Sequence, residues 1–262
     1  MKLSVFTVMV GDQYDLEATA KLLAEIGYAG VEWRVHPSFH VPVEGIEAQA
    51  EQVAKVTADY GLELAALAPY LGAQEYEPVV SILRAAAMMG CPRVRVGVPR
   101  YDRSVPYPTL YDQACQAFAK LEPVALDLGV KCQLEIHMGN IAASPSLAWR
   151  IASNFSPQAI GVIFDPGNMI YEGFENWRLG LELLGPWLEH VHVKNSQWIK
   201  NRQSQWKATS ARMDEGIVDW AQVINDLEAV GYDGWLSLED FTEVPAPVKL
   251  AEDLALLRKL VS

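Results

Sequence analysis

Eight times along this chain a short strand-like run is followed by a segment with helical spacing, and six of those segments stop at a glycine. The unit is roughly 30 residues long, the length that a strand, a crossover helix and a turn require. The strand-like runs are residues 3–10, 30–36, 62–70, 93–98, 131–137, 160–165, 188–194 and 234–239. The helical segments are 15–26, 46–60, 78–89, 109–128, 146–154, 176–184, 219–230 and 247–261. Residues 195–216 read as one long polar loop.

Alternation within the runs decides which sheet they build. Strands of an open parallel sheet lie under helices on both faces and read as continuous apolar runs. Here Glu32, Arg34 and His36 oppose Val31, Trp33 and Val35, and Arg93 and Arg95 oppose Val94 and Val96. Gln133, Glu135 and His137 oppose Leu134 and Ile136, and His190, His192 and Lys194 oppose Val191 and Val193. A barrel tolerates such a polar inner face near its mouth, whereas a helix-covered face does not. The expectation is an α/β protein, one (β/α)8 TIM barrel spanning residues 1–262, a size at which such barrels form a single domain.

Composition narrows the function. A net charge of -12 argues against general affinity for nucleic-acid backbones, which rests on Lys and Arg contacts. No apolar run reaches the roughly 18 residues of a membrane span, and the N-terminus reads as a strand rather than a leader. Cys91, Cys115 and Cys132 are odd in number and never spaced C-x-x-C, so neither a disulfide framework nor a thiolate zinc site is indicated. A cytoplasmic setting is the simplest expectation. The sequence contains no readable dinucleotide loop, P-loop or nucleophile elbow.

In a barrel of this kind the active face lies at the C-terminal strand ends. Glu135, Asp165, His192 and Glu239 all fall at or within two residues of such an end. Three carboxylates and an imidazole, without thiolates, suit a hard divalent ion such as Mn²⁺, Mg²⁺ or Co²⁺ better than a structural zinc. A single glutamate at a strand end is more often a lumen ion-pair partner; four such residues together favour a metal.

The segments LEIHMGN, FDPGNM, HVHVKN and LSLED resemble the metal-binding strand ends of the xylose isomerase-like barrels, a superfamily of sugar isomerases and epimerases that includes an inosose dehydratase and endonuclease IV. The resemblance implies one divalent ion, Mn²⁺ first, held by Glu135, Asp165, His192 and Glu239, with Glu135 and Glu239 doubling as the proton-transfer pair. Asn168 departs from the pattern, because several members carry histidine in a D-x-x-H arrangement there.

The implied chemistry is coherent. Moving a proton between adjacent carbons of a hydroxyketone needs a base and something to hold the enediolate, and a cation chelating neighbouring oxygens meets the second need as a Lewis acid. His137, two residues beyond Glu135, is placed to meet a substrate hydroxyl or to orient a ligand. His190, one pleat deeper than His192, reads as a core or orienting histidine. Glu32, Arg34 and Arg95 read as a buried ion-pair network in the lumen. The stretch from Asn195 to Arg212 carries Lys200, Arg202, Lys207 and Arg212 and no acid. With Lys194 at its base it suits a phosphate or carboxylate as well as it suits a solvated loop. Trp198 and Trp206 could stack on a sugar or pin that loop.

The expected substrate-binding set is therefore His137, Asn168, Lys194, Arg202 and Arg212. The expected activity is a metal-dependent isomerase or epimerase of a ketose, a sugar phosphate or a small hydroxy-keto compound. Its partner is that small molecule rather than nucleic acid or membrane, and self-association into a homo-oligomer is compatible with it. A lyase of the inosose dehydratase type begins with the same proton abstraction. An endonuclease IV-like nuclease and a sugar-binding barrel without turnover are the further alternatives.

Overall fold

In the computed structural model, which describes residues 1–11 and 13–261, eight parallel strands close into a barrel. They are β1 (Lys2–Phe6), β2 (Gly30–Val35), β3 (Glu63–Pro69), β4 (Arg93–Arg95), β5 (Lys131–Glu135), β6 (Ile160–Phe164), β7 (Leu188–Val193) and β10 (Trp235–Leu238). Neighbours follow chain order, and β10 pairs with β1 to close the ring, Ser4 lying opposite Ser237. The chain is thus a (β/α)8 TIM barrel.

Helices α1 (Leu16–Ile26), α2 (Ile46–Asp59), α3 (Tyr76–Met89), α4 (Tyr107–Leu128) and α5 (Pro145–Ala152) cover the outside in turn. After them come α6 (Pro166–Tyr171), α7 (Trp177–Leu184), α8 (Trp220–Ala229) and α9 (Ala246–Leu260). The alternation in β2 shows why the layers sort. Trp33 points out, is fully buried under α2 and donates its indole N–H to Thr57 Oγ1 at 3.0 Å. Glu32 points in and is equally buried, among polar side chains of the lumen.

Besides short 3-10 turns at Thr7–Met9, where the first strand-like run ends early, and at Gly185–Trp187, two features near the barrel mouth depart from the sequence reading. Residues 195–216 are not a loop throughout: β8 (Asn195–Lys200) and β9 (Trp206–Ala211) pair antiparallel, with Asn195 opposite Ala211 and Lys200 opposite Trp206. The stretch is polar, but Trp198, Ile199, Trp206 and Thr209 favour extended backbone, and Asn201 closes the turn by accepting from the N–H groups of Gln203 and Gln205. Asn195 ties down the hairpin base. It donates to Met213 O and Val218 O and accepts from the N–H of Val218. Short helix α6, between β6 and α7, is the other unanticipated element. It exists because Asp165 caps it, accepting the Asn168 N–H at 2.8 Å, with Pro166 in the first turn. Gly167 is required there, because a Cβ would collide with the Lys194 side chain.

Candidate metal centre

Glu135 ends β5, Asp165 follows β6, His192 is the penultimate residue of β7 and Glu239 follows β10. One ligand atom from each lies within 4.8 Å of the others, and all four side chains are buried. The barrel's parallel register creates this convergence: Glu135 pairs with Ile163, two residues before Asp165, and His192 pairs with Ser237, two before Glu239.

Each donor is oriented by something else. His192 Nδ1 lies 3.1 Å from Glu135 Oε1 and 3.7 Å from both Asp165 Oδ2 and Glu239 Oε2. Its Nε2 is 3.2 Å from both oxygens of Glu32, so the Nε2–H donates to Glu32 and turns the Nδ1 side of the ring toward the acids. The same glutamate also takes His190 Nε2 at 3.0 Å. Glu32 therefore does not pair with Arg34 and Arg95, as the sequence suggested. Arg34, one pleat nearer the mouth, lies over the rings of Phe39 and Tyr70, and Arg95 meets Glu135. Asp165 divides its labour, Oδ1 capping α6 and Oδ2 facing the cluster. Asn168 Nδ2 bridges Asp165 Oδ2 at 2.8 Å and Glu135 Oε1 at 3.2 Å.

The charges are paired across the site. Arg95 Nη2 lies 2.5 Å from Glu135 Oε2. Lys194 Nζ lies 2.5 Å from Glu239 Oε2 and 2.8 Å from Asp165 Oδ2. Burial alone would raise the Glu135 carboxyl, but Arg95 and then His192 hold it well below the usual range. Burial would lower His192, yet Glu32 and then Glu239 hold it well above its ordinary value. Burial disfavours the Lys194 ammonium as well, and Asp165 and Glu239 more than reverse that. Four buried carboxylates, those of Glu32, Glu135, Asp165 and Glu239, thus face two full cations, and the imidazole draws a proton to reduce the surplus. An oxygen-rich, electron-rich pocket of this kind fits a hard divalent cation.

A cavity of about 270 Å³ opens above the donors, lined by Tyr70, Arg95, Tyr171, Ser196, Ser210 and Phe241 among others. His137, Asn168 and Lys194 line it too. His137 Nδ1 lies 2.7 Å from Met138 O, which can only accept, so its Nε2 is left as an acceptor. Arg202 and Arg212 do not join them. Arg202 is exposed at the hairpin tip, and Arg212 pairs with Asp214 and Glu252 on the surface. Trp198 pins the hairpin, donating to Ile170 O at 2.8 Å, while Trp206 stands 64% exposed. Sequence reasoning missed Tyr70, Ser196, Ser210 and Phe241. Phe241 was legible in principle, two residues beyond Glu239; the serines required knowledge of the hairpin.

A model of the xylose isomerase-like TIM barrel family matches residues 20–260. The chain belongs to that family. The chain is similar to the inosose dehydratase of Geobacillus thermodenitrificans (strain NG80-2), 21% identical over 139 residues, which span 49% of this chain and 46% of that protein. Among solved structures, a 3-keto-D-glucoside 4-epimerase from E. coli superimposes with a TM-score of 0.78 at 18% identity, covering 99% of both chains. The IOLI protein, solved with a bound zinc atom, gives 0.81 at 14% identity, covering 100% of this chain and 98% of that one. Identities this low establish the shared fold.

Proposed function

We propose that this chain is a divalent-metal-dependent isomerase or epimerase of a ketose or a related small hydroxy-keto compound. The observation that carries the reading is the convergence of Glu135, Asp165, His192 and Glu239 beneath an open cavity. A divalent ion held by these four residues, Mn²⁺, Mg²⁺ or Co²⁺ by donor type, would supply the Lewis acidity that an enediolate needs.

The chain itself supplies the proton transfers. Glu135 and Glu239 enter from β5 and β10, on different sides of the donor cluster, so each can serve its own face of a substrate carbon. Glu135 Oε2 is steadied by Arg95, and Glu239 Oε2 by Lys194, so either carboxylate can take a proton without leaving its position. His137 Nε2 can accept a hydrogen bond from a substrate hydroxyl, and Asn168 keeps Glu135 and Asp165 aligned. Because Arg202 and Arg212 lie outside the cavity and Lys194 is engaged by two acids, the site favours a neutral hydroxyketone over a phosphate ester. The partial similarity to inosose dehydratase supports a second reading, a lyase that eliminates water after the same proton abstraction.

Incubation with ketoses and keto-inositols in heavy water tests both readings. Deuterium should enter the carbon beside the ketone, and product analysis separates epimerisation from dehydration. Glu135→Gln and Glu239→Gln should each lower turnover by about 10²- to 10⁴-fold. Turnover without solvent deuterium would indicate a hydride shift and remove the two-base assignment.

A further inference from the structure

The cavity over the donors is small. At about 270 Å³ it falls just below the range of roughly 300–1,000 Å³ usual for ligand sites. Beside it lies a second cavity of about 370 Å³, which shares Tyr70, Arg95, Glu135, His137 and Met138 with the first and continues away from the donors. Nothing in the proton transfers above uses it.

Its walls are built rather than loose. Beyond the ends of β3, β4 and β5 the backbones keep pairing: Gly97 N–H donates to Leu71 O at 2.8 Å and Ala73 N–H to Gly97 O at 2.9 Å. Tyr101 N–H donates to Gly139 O at 2.9 Å and Ile141 N–H to Pro99 O at 3.1 Å. The lining is mixed. Leu71, Val98 and Pro99 give an apolar side, while Gln74, Arg100 and Asn140 offer neutral amides and one guanidinium. Asn140 Oδ1 is engaged by the Ala142 N–H, which leaves its amide N–H groups as donors. Charge is balanced, because Arg95 is engaged by Glu135, and the one further guanidinium of the lining, Arg100, is matched by one further carboxylate, Glu75. A phosphate would require a surplus of cations. Apolar surface with scattered amide and guanidinium donors, and no net charge, matches a sugar ring.

We infer that the substrate is a glycosylated ketose, whose reacting unit sits over Glu135, Asp165, His192 and Glu239 while a second sugar ring fills the cavity between the β3, β4 and β5 loops. This inference rests on the reading of the first cavity as a ketose site. Calorimetric titration of the Mn²⁺-loaded protein with D-fructose, with the glucosyl-fructoses trehalulose, turanose, maltulose and isomaltulose, and with fructose 6-phosphate tests it. At least one glucosyl-fructose should bind tenfold or more tightly than fructose. Arg100→Ala and Gln74→Ala, both at exposed positions, should erase that advantage and leave fructose binding unchanged. The inference is overturned if no glucosyl-fructose outbinds fructose, if the phosphate binds best, or if the variants weaken every ligand alike. Solvent-deuterium exchange, read separately, reports on the catalytic reading: a binding preference without exchange would retain the second sugar site and remove the isomerase.

Discussion

The two sides of the barrel mouth hold their glutamates differently. On the β5 side, Glu135 meets one guanidinium, Arg95, and opens onto the larger cavity. On the β10 side, Glu239 shares the Lys194 ammonium with Asp165 beneath Phe241 and the hairpin. One cation therefore serves a single acid, while the other binds two candidate metal ligands together. Lys194 thus does part of a metal ion's work in holding the donors together, and Arg95 does not.

The largest test of this contrast is to remove the cations. Breaking a buried ion pair costs about 3–5 kcal/mol, because the partner charge is left uncompensated. Arg95→Met and Lys194→Met should both lower Tm by several degrees in chelator, with Lys194→Met the worse. Saturating Mn²⁺ should restore more of the loss in Lys194→Met, since both of its stranded acids can be taken up by the ion. Equal rescue of the two variants would erase the distinction between the sides.

Glu32 lies below both sides and steadies the histidine they share. Glu32→Gln keeps the shape but weakens the acceptor for the His192 Nε2–H, so divalent affinity in competition with a chelator should fall by about 10- to 100-fold. An unchanged affinity would mean that the acids alone position the ion.

A smaller effect belongs to the β10 side only. Burial, and then the neighbouring Asp240, raise the Asp253 carboxyl to about 7. In the unfolded chain an aspartate titrates near 3.9. Between those values the folded state keeps a proton that the unfolded state has lost, so stability falls as pH rises across that window and levels off above about 7. Asp253→Asn should therefore match the parent near pH 4 and melt higher at pH 8. Parallel Tm curves across that range would show that Asp253 is ionised throughout.

The strand ends were legible because two independent patterns agree there. Period-two alternation assigned Glu135 and His192 to the inner face, and the order of elements placed them at the C-terminal rim. What stayed hidden depended on contacts between distant segments. Glu32 could be assigned to the lumen, but its choice of His190 and His192 over Arg34 and Arg95 follows from strand stagger, which no local pattern encodes. The hairpin was hidden for a different reason. Its strands lie outside the barrel and alternate weakly, so composition suggested a loop, and with it a role for Arg202 and Arg212 that their positions at the hairpin tip and on the surface do not give them.

Asp165 links chemistry to mechanics. One of its oxygens starts α6, α6 presents Ile170 O to the Trp198 indole, and Trp198 holds the hairpin whose Ser196 and Ser210 wall the cavity. Anything that pulls on this carboxylate therefore pulls on a lever running from the rim of the barrel to the hairpin that walls its mouth. Glutamate in its place would preserve the charge and lengthen the arm by one methylene, and the error would surface at the hairpin, as a faster-exchanging set of amides far from the substituted residue.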